Sequence, residues 1–157
     1  MSVDTVLHRL HENGRSRANA PAYYVRSKDH WVPTTWKEYL EEVRQAAKGL
    51  VALGFEAKQG VCILGFNRPE WVIFNLAGLL AGGHGTGIYT SNSPDEVQYI
   101  IDHSEAPFVL VEDEAQWQKN RPDSRATAES EACYPHERSH SRRSVGPGLG
   151  SVYGFGQ

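Results

Sequence analysis

Val61-Cys-Ile-Leu-Gly-Phe-Asn-Arg-Pro-Glu-Trp71 decides the fold of this chain. Its first four residues form a short apolar run bounded by glycines, the pattern of a strand buried on both faces. Asn67 with Glu70 three residues on reads as a helix N-terminus, and Pro69 is tolerated in a first turn, where its missing N–H costs nothing. The helix predicted from there carries Trp71, Phe74, Leu76 and Leu79 and stops at Gly82-Gly83. A buried strand running straight into a helix is the opening half of a βαβ unit, whose crossover makes the next strand parallel.

The same alternation continues downstream. A glycine-laden strand is predicted around Thr86–Tyr89, and Ser93-Pro-Asp-Glu96 reads as a capping box for a helix with Val97, Ile100 and Ile101 on its apolar face. Phe108-Val-Leu-Val111 is a third buried strand, and Asp113 to Gln116 reads as the cap of one more helix. Upstream, Val6, Leu7 and Leu10 mark a short helix ending at Asn13-Gly14. Ala22–Arg26 and Trp31–Pro33 flank Ser27-Lys-Asp29 as a hairpin. Thr35 with Glu38 caps an amphipathic helix through Trp36, Tyr39, Leu40, Val43, Ala47, Leu50 and Leu53, which Gly54 stops. The predicted class is α/β: a partial parallel sheet (βαβαβ) with helices on both faces, an N-terminal hairpin and a disordered C-terminal tail.

The tail follows from composition. In residues 120–157 the only Val, Ile, Leu, Met, Phe or Trp are Val145, Leu149, Val152 and Phe155, well under the roughly 20% below which a segment is expected to stay disordered. No strand is predicted after Val111. The chain therefore divides into residues 1–119, an incomplete domain, and residues 120–157, a tail rich in Arg, Ser, Pro, Gly, His and Ala. That bias, starting abruptly at Asn120, is what GC-rich coding sequence gives in a shifted frame, against the alternative of a natural disordered tail. Truncation at this point is expected to leave Val61–Leu64 or Phe108–Val111 with an open edge, and Trp71, Phe74 and Leu79 partly wet.

Charge and cysteines narrow the functional classes. Sixteen basic and 19 acidic residues give a formal net charge of −3, which offers no electrostatic case for nucleic acid or an anionic membrane. Cys62 and Cys133 are too few for a disulfide framework, and Cys62 lies inside an apolar run. No signal peptide is legible at the N-terminus, and Trp71–Ala81 falls short of the ~20 residues needed to cross a bilayer. A cytoplasmic protein is the expectation, its oligomeric state unread.

Candidate chemistry is sparse. Gly82-Gly-His-Gly-Thr-Gly87 does not fit G-x-G-x-x-G, and it enters a strand where a phosphate cradle would leave one. The simpler reading is a helix stop followed by a strand that another backbone approaches closely. The loop Tyr89-Thr-Ser-Asn-Ser-Pro94 leaves the carboxyl end of a parallel strand and opens onto a helix N-terminus. Thr90, Ser91, Asn92 and Ser93 are therefore the weak candidates for binding an anionic cofactor, beside the plainer reading in which Ser93 only caps. Cys133, His136 and His140 supply three zinc-type ligands with no oriented fourth, while His11, His30, His84 and His103 share no spacing. No catalytic residue and no metal site is assigned.

Longer strings carry a resemblance. Thr35-Trp-Lys-Glu-Tyr39, Ala46-Ala-Lys-Gly-Leu50, Ile63-Leu-Gly-Phe-Asn67, Pro69-Glu-Trp71, Ala81-Gly-Gly83, Gly87-Ile-Tyr-Thr90, Asn92-Ser-Pro94, Gln98-Tyr99 and Val111-Glu112 resemble, in order, the N-terminal region of bubblegum-type long-chain fatty-acid–CoA ligases. These belong to the adenylate-forming, AMP-binding superfamily. The resemblance covers about residues 22–119; Ser91 and Asp95 stand where that branch has Thr and Glu. It implies a ligase using ATP, Mg²⁺ and CoA to turn a fatty acid into acyl-CoA, AMP and pyrophosphate, with peripheral membrane contact compatible with the intact enzyme. The family's Pro-Lys-Gly loop, Thr-Glu pair, ribose-binding Asp and C-terminal lysine match no position here. The chain alone is expected to be inactive. The alternatives are a non-catalytic interaction module and a small flavodoxin-like nucleotide-binding domain.

Overall fold

The computed structural model describes residues 4–113, residue 116, and the segments 140–144 and 151–155. Helix α1 (Val6–Ser16) starts at Thr5, whose side chain accepts the His8 N–H, and runs past Gly14 to end two residues later than its sequence predicts. Strands β1 (Pro21–Ser27) and β2 (His30–Thr35) form the expected antiparallel hairpin, with Lys28 left-handed in the turn at φ 49°. Thr35 and Glu38 then close a reciprocal capping box on α2 (Trp36–Ala52). The backbone N–H of Thr35 donates to Glu38 Oε2 at 2.8 Å.

The parallel unit follows in the predicted order. Strand β3 (Gly60–Leu64), α3 (Pro69–Leu80), β4 (His84–Ile88), α4 (Pro94–His103) and β5 (Phe108–Val111) alternate along the chain. Strand β3 is central, paired in parallel with β4 on one side and β5 on the other. Gly54 and Gly82, at φ 95° and 90°, supply the left-handed turns that follow α2 and α3.

Period-two alternation along β3 and β5 divides the core in two. Val61, Ile63, Phe108 and Leu110 face α1, α2 and α3 and meet Leu10, Val43, Leu50, Ile73 and Phe74. Cys62, Leu64, Val109 and Val111 face the other way and meet Ile88, Val97, Ile101 and Ala106. Helices thus cover both faces, as the sequence predicts.

Three expectations are corrected. Asn67 is not the cap of α3: the N-cap is Arg68, which makes no side-chain capping bond, because Pro69 pushes the residue before it into the extended region. Phe74 is not wet but fully buried, since α2 covers α3 from outside the sheet. Nor is β5 an open edge. Two further strands, β6 (His140–Ser144) and β7 (Ser151–Phe155), fall within the tail, and β7 pairs antiparallel with β5. The sheet order is β4-β3-β5-β7-β6, with β3 interior and β4 at the edge. Composition hides these strands because ladder pairing is made by backbone groups, and an unpaired strand edge recruits any extended segment.

Candidate functional site

The carboxyl ends of β3, β4 and β5 lie side by side. The chain leaves β3 for α3 on one face and β4 for α4 on the other, so the strand order reverses between neighbours, where ligands of open α/β sheets bind. Two clefts open there. One, of about 210 Å³, is lined by Leu64, Phe66, Arg68, Glu70, Trp71 and Glu112 among others. The second, of about 440 Å³, lies between the base of the hairpin and the start of α3, bordered by Tyr23, Tyr39, Asn67 and Val72, and shares Arg68 and Trp71 with the first.

Glu112, directly after β5, organises the first cleft. Its backbone N–H extends the ladder to Leu64 O at 3.2 Å. One carboxylate oxygen accepts the Phe66 N–H at 2.9 Å and the other accepts Arg68 Nη1 at 3.2 Å. Arg68 Nε also faces Glu70 Oε2 at 3.6 Å, an oxygen shielded from solvent and without a hydrogen bond. One guanidinium therefore sits between two carboxylates and ties the β3–α3 turn to the end of β5. Trp71 forms the wall on the β4 side. A Cβ added at Gly87 would lie 2.9 Å from its ring and one at Gly85 would strike Asn75. The glycine-rich stretch is thus a helix stop and a strand closely approached, by the Gln59 backbone carbonyl at Gly83 and by α3 side chains at Gly85 and Gly87.

The loop after β4 is laid out differently from an anion cradle. Asn92 donates its N–H to Tyr89 O at 3.0 Å, making a turn. Ser93 Oγ accepts the Glu96 N–H and the Ser93 N–H donates to Glu96 Oε2 at 2.7 Å, a complete capping box. These bonds hold the Glu96 carboxyl below its ordinary range, the backbone donor counting most. A carboxylate already occupies the positive end of α4, where an incoming phosphate would meet like charge. Thr90 and Asn92 are half-buried and Ser91 exposed. All four candidates share one loop at the strand ends, with Ser93 committed to capping.

The remaining chemistry is scattered. Cys62 is buried with its Sγ 3.1 Å from Ser104 Oγ, and burial pushes its thiol up. Cys133 and His136 lie outside the described residues. Among the described residues no three His, Cys, Asp or Glu side chains gather as a metal site. The Arg68–Glu112 pair has no local signal: the two residues are 44 apart in sequence and meet only because β3 and β5 are neighbours.

Comparisons with known proteins give the family. The AMP-binding enzyme profile matches residues 10–145, further at both ends than the strings quoted above. The long-chain-fatty-acid–CoA ligase ACSBG2 of Xenopus laevis is 44% identical over 91 residues, covering 58% of this chain and 12% of that protein. The human ACSBG2 is 42% identical over 99 residues, covering 63% and 15%, and the rat ACSBG1 is 39% identical over 101 residues, covering 64% and 14%. The chain thus spans about an eighth to a seventh of the length of these relatives. Among solved structures, the anthranilate CoA ligase AuaEII superposes with a TM-score of 0.66 at 24% identity, covering 75% of this chain and 22% of that one. IdnL1 gives 0.69 at 16% identity, covering 98% and 28%. With a profile match over most of its length, and a βαβαβ layer that superposes on solved CoA ligases, the chain belongs to the AMP-binding enzyme family and is similar within it to the bubblegum-type long-chain fatty-acid–CoA ligases.

Proposed function

We propose that this chain is the first α/β layer of a long-chain fatty-acid–CoA ligase. In the reaction a fatty-acid carboxylate attacks the α-phosphate of ATP, pyrophosphate leaves, and the CoA thiol then displaces AMP from the acyl-adenylate. The observation that carries the reading is the agreement of about 40% identity to the bubblegum-type ligases with a β4-β3-β5 parallel unit that aligns with CoA ligases. Residues 1–119 are on this reading the N-terminal part of the adenylate-forming domain, and 120–157 follow it as a tail.

By itself the chain carries out neither step. No Pro-Lys-Gly phosphate loop is present, and its five lysines, Lys28, Lys37, Lys48, Lys58 and Lys119, lie in no phosphate-binding motif. For Mg²⁺, which supplies charge neutralisation on the phosphates in such chemistry, the described residues gather no ligand set. What these residues do supply is shape: Glu112 and Arg68 hold the β3–α3 turn beside the strand ends. Among the described residues no helix is long and apolar enough to cross a membrane; a fatty-acid substrate fits peripheral contact with a lipid surface.

The flavodoxin-like alternative shares the middle-first strand order of this unit. Its fourth strand would be parallel, whereas β5 is followed in the sheet by antiparallel β7. The test is pyrophosphate release from the purified chain with ATP, Mg²⁺, palmitate and CoA. The expected result is none above a no-protein control, since even one lost transition-state donor costs on the order of 10²–10³ in rate. Release dependent on both ATP and palmitate would overturn the inactive reading. Replacing the matching segment of a bubblegum-type ligase with residues 22–119 tests the family role: a folded chimera without ligase activity would overturn it.

A further inference from the structure

The tip of the hairpin carries a surface that neither the sheet nor the strand-end clefts account for, Tyr24 alone of its residues also bordering the second cleft. Its base is fixed to the body: Tyr23 packs edge-on against Tyr39 with ring centres 5.3 Å apart and donates its hydroxyl to Glu42 at 3.1 Å. Its distal half stands clear. Val25 pairs with Val32 and Arg26 with Trp31 across the ladder. Strand alternation therefore puts Trp31 and Arg26 with Tyr24 on one face and the two valines on the other. Both faces are wet, with Trp31 61%, Tyr24 54%, Val32 42% and Val25 41% exposed. These are four of the chain's exposed large apolar side chains on one small projection, a concentration that marks an interaction surface.

Charge selects the partner. The chain is net −3, but residues 17–33 hold Arg17, Arg26 and Lys28 against Asp29 alone. Among the described residues neither Arg26 nor Lys28 takes part in an ion pair. Arg26 spends one N–H on the Lys28 carbonyl, at 3.4 Å. A tryptophan and a tyrosine beside basic stems on an otherwise acidic molecule match the headgroup layer, where aromatic rings settle and long cationic side chains reach the phosphates. A folded protein partner of ordinary surface would need one apolar face and would not call for two.

We propose that the tip of this hairpin, Tyr24–Val32, is a docking element for an anionic lipid surface, with Trp31, Val25 and Val32 entering the headgroup boundary and Arg26 and Lys28 contacting lipid phosphates. This rests on the peripheral-membrane part of the proposed function but not on ligase chemistry. The test is sedimentation of the full 157-residue chain with phosphatidylcholine vesicles, with and without phosphatidylserine. Trp31 fluorescence is isolated by subtracting the spectrum of Trp31→Ser. The chain is expected to bind the anionic vesicles, with Trp31 emission shifting to the blue, and to bind less as salt rises. Arg26→Gln with Lys28→Gln should weaken binding about 25-fold, roughly fivefold per charge, and Trp31→Ser about tenfold or more. These exposed positions leave the fold intact, which circular dichroism verifies. A chain that binds no anionic vesicle overturns both the membrane reading and the hairpin assignment. Binding unchanged in the Trp31 and charge variants overturns the hairpin assignment while peripheral contact stands. A dimer dissolved by Trp31→Ser, without vesicle binding, would make the tip an interface between copies and overturn the proposal.

Discussion

Phe74→Ala asks directly whether the two-sided core exists in solution. The side chain is fully buried, in the cluster that joins α2 and α3 to the inner face of β3. Truncating it removes the transfer energy of the ring and leaves a cavity that rigid neighbours fill only in part, so a loss of about 3–5 kcal/mol is expected. An unfolding unit of roughly 110 residues has an entropy of about 0.23 kcal/mol/K. The melting midpoint should then fall by about 13–22 °C. Thermal melts followed by circular dichroism, backed by urea titration, measure this against Tyr99→Ala, where 66% of the side chain is already exposed and a change within about 0.5 kcal/mol is expected. A shift of under 3 °C for Phe74→Ala, about the size expected for the surface control, would refute the reasoning, as would a parent chain without a cooperative transition.

Three further outcomes follow from local geometry. Gly87→Ala drives a methyl toward the Trp71 ring and should cost about 1–3 kcal/mol in urea unfolding, part of it recovered when Trp71 is replaced by Phe. Glu38 and Glu96 are held below the ordinary glutamate value of about 4.5 by their backbone and hydroxyl donors at Thr35 and Ser93. Their contribution is therefore present above that value and lost as pH falls through the lower folded ones. Glu38→Gln with Glu96→Gln should flatten the stability-versus-pH curve below about 4.5 and leave its shape at neutral pH unchanged. In a Cys133→Ser chain, Cys62, raised by burial, should resist a thiol reagent at pH 8 until denaturant is added; prompt reaction in the native chain would contradict its burial.

Elements whose signal is local were legible in the chain. Thr35 with Glu38 and Ser93 with Glu96 each predict a cap that forms bond for bond, because a capping box is completed within four residues. Val61–Leu64 and Phe108–Val111 announce buried strands since both their faces are covered. Asp113 likewise accepts the Gln116 N–H at 2.8 Å, as its spacing predicts. Features made by distant residues were not legible. Arg68 and Glu112 meet through sheet order, and β7 finds β5 through backbone groups common to any sequence. Asn67 misleads because a good capping side chain is overruled by the proline two residues on. At the strand ends, Thr90, Ser91, Asn92 and Ser93 lie on one loop, but the occupant of the helix terminus, Glu96, is the same residue that made the cap recognisable.

The unequal division of the core by the sheet has a consequence for how the molecule opens. Among the described residues, fifteen buried ones stand on the α2–α3 side and eight on the other, and α4 itself contributes only Val97 and Ile101 to the smaller set. Cooperative units of a protein detach in order of the apolar surface they share with the rest. The α4 segment is thus the part with the least to lose, and its amides should trade hydrogen for deuterium through a partial opening well below the global barrier. The loop Tyr89–Ser93, tethered to α4 by its capping box, would be released in the same event, exposing the carboxyl ends of the strands while the larger half stays shut.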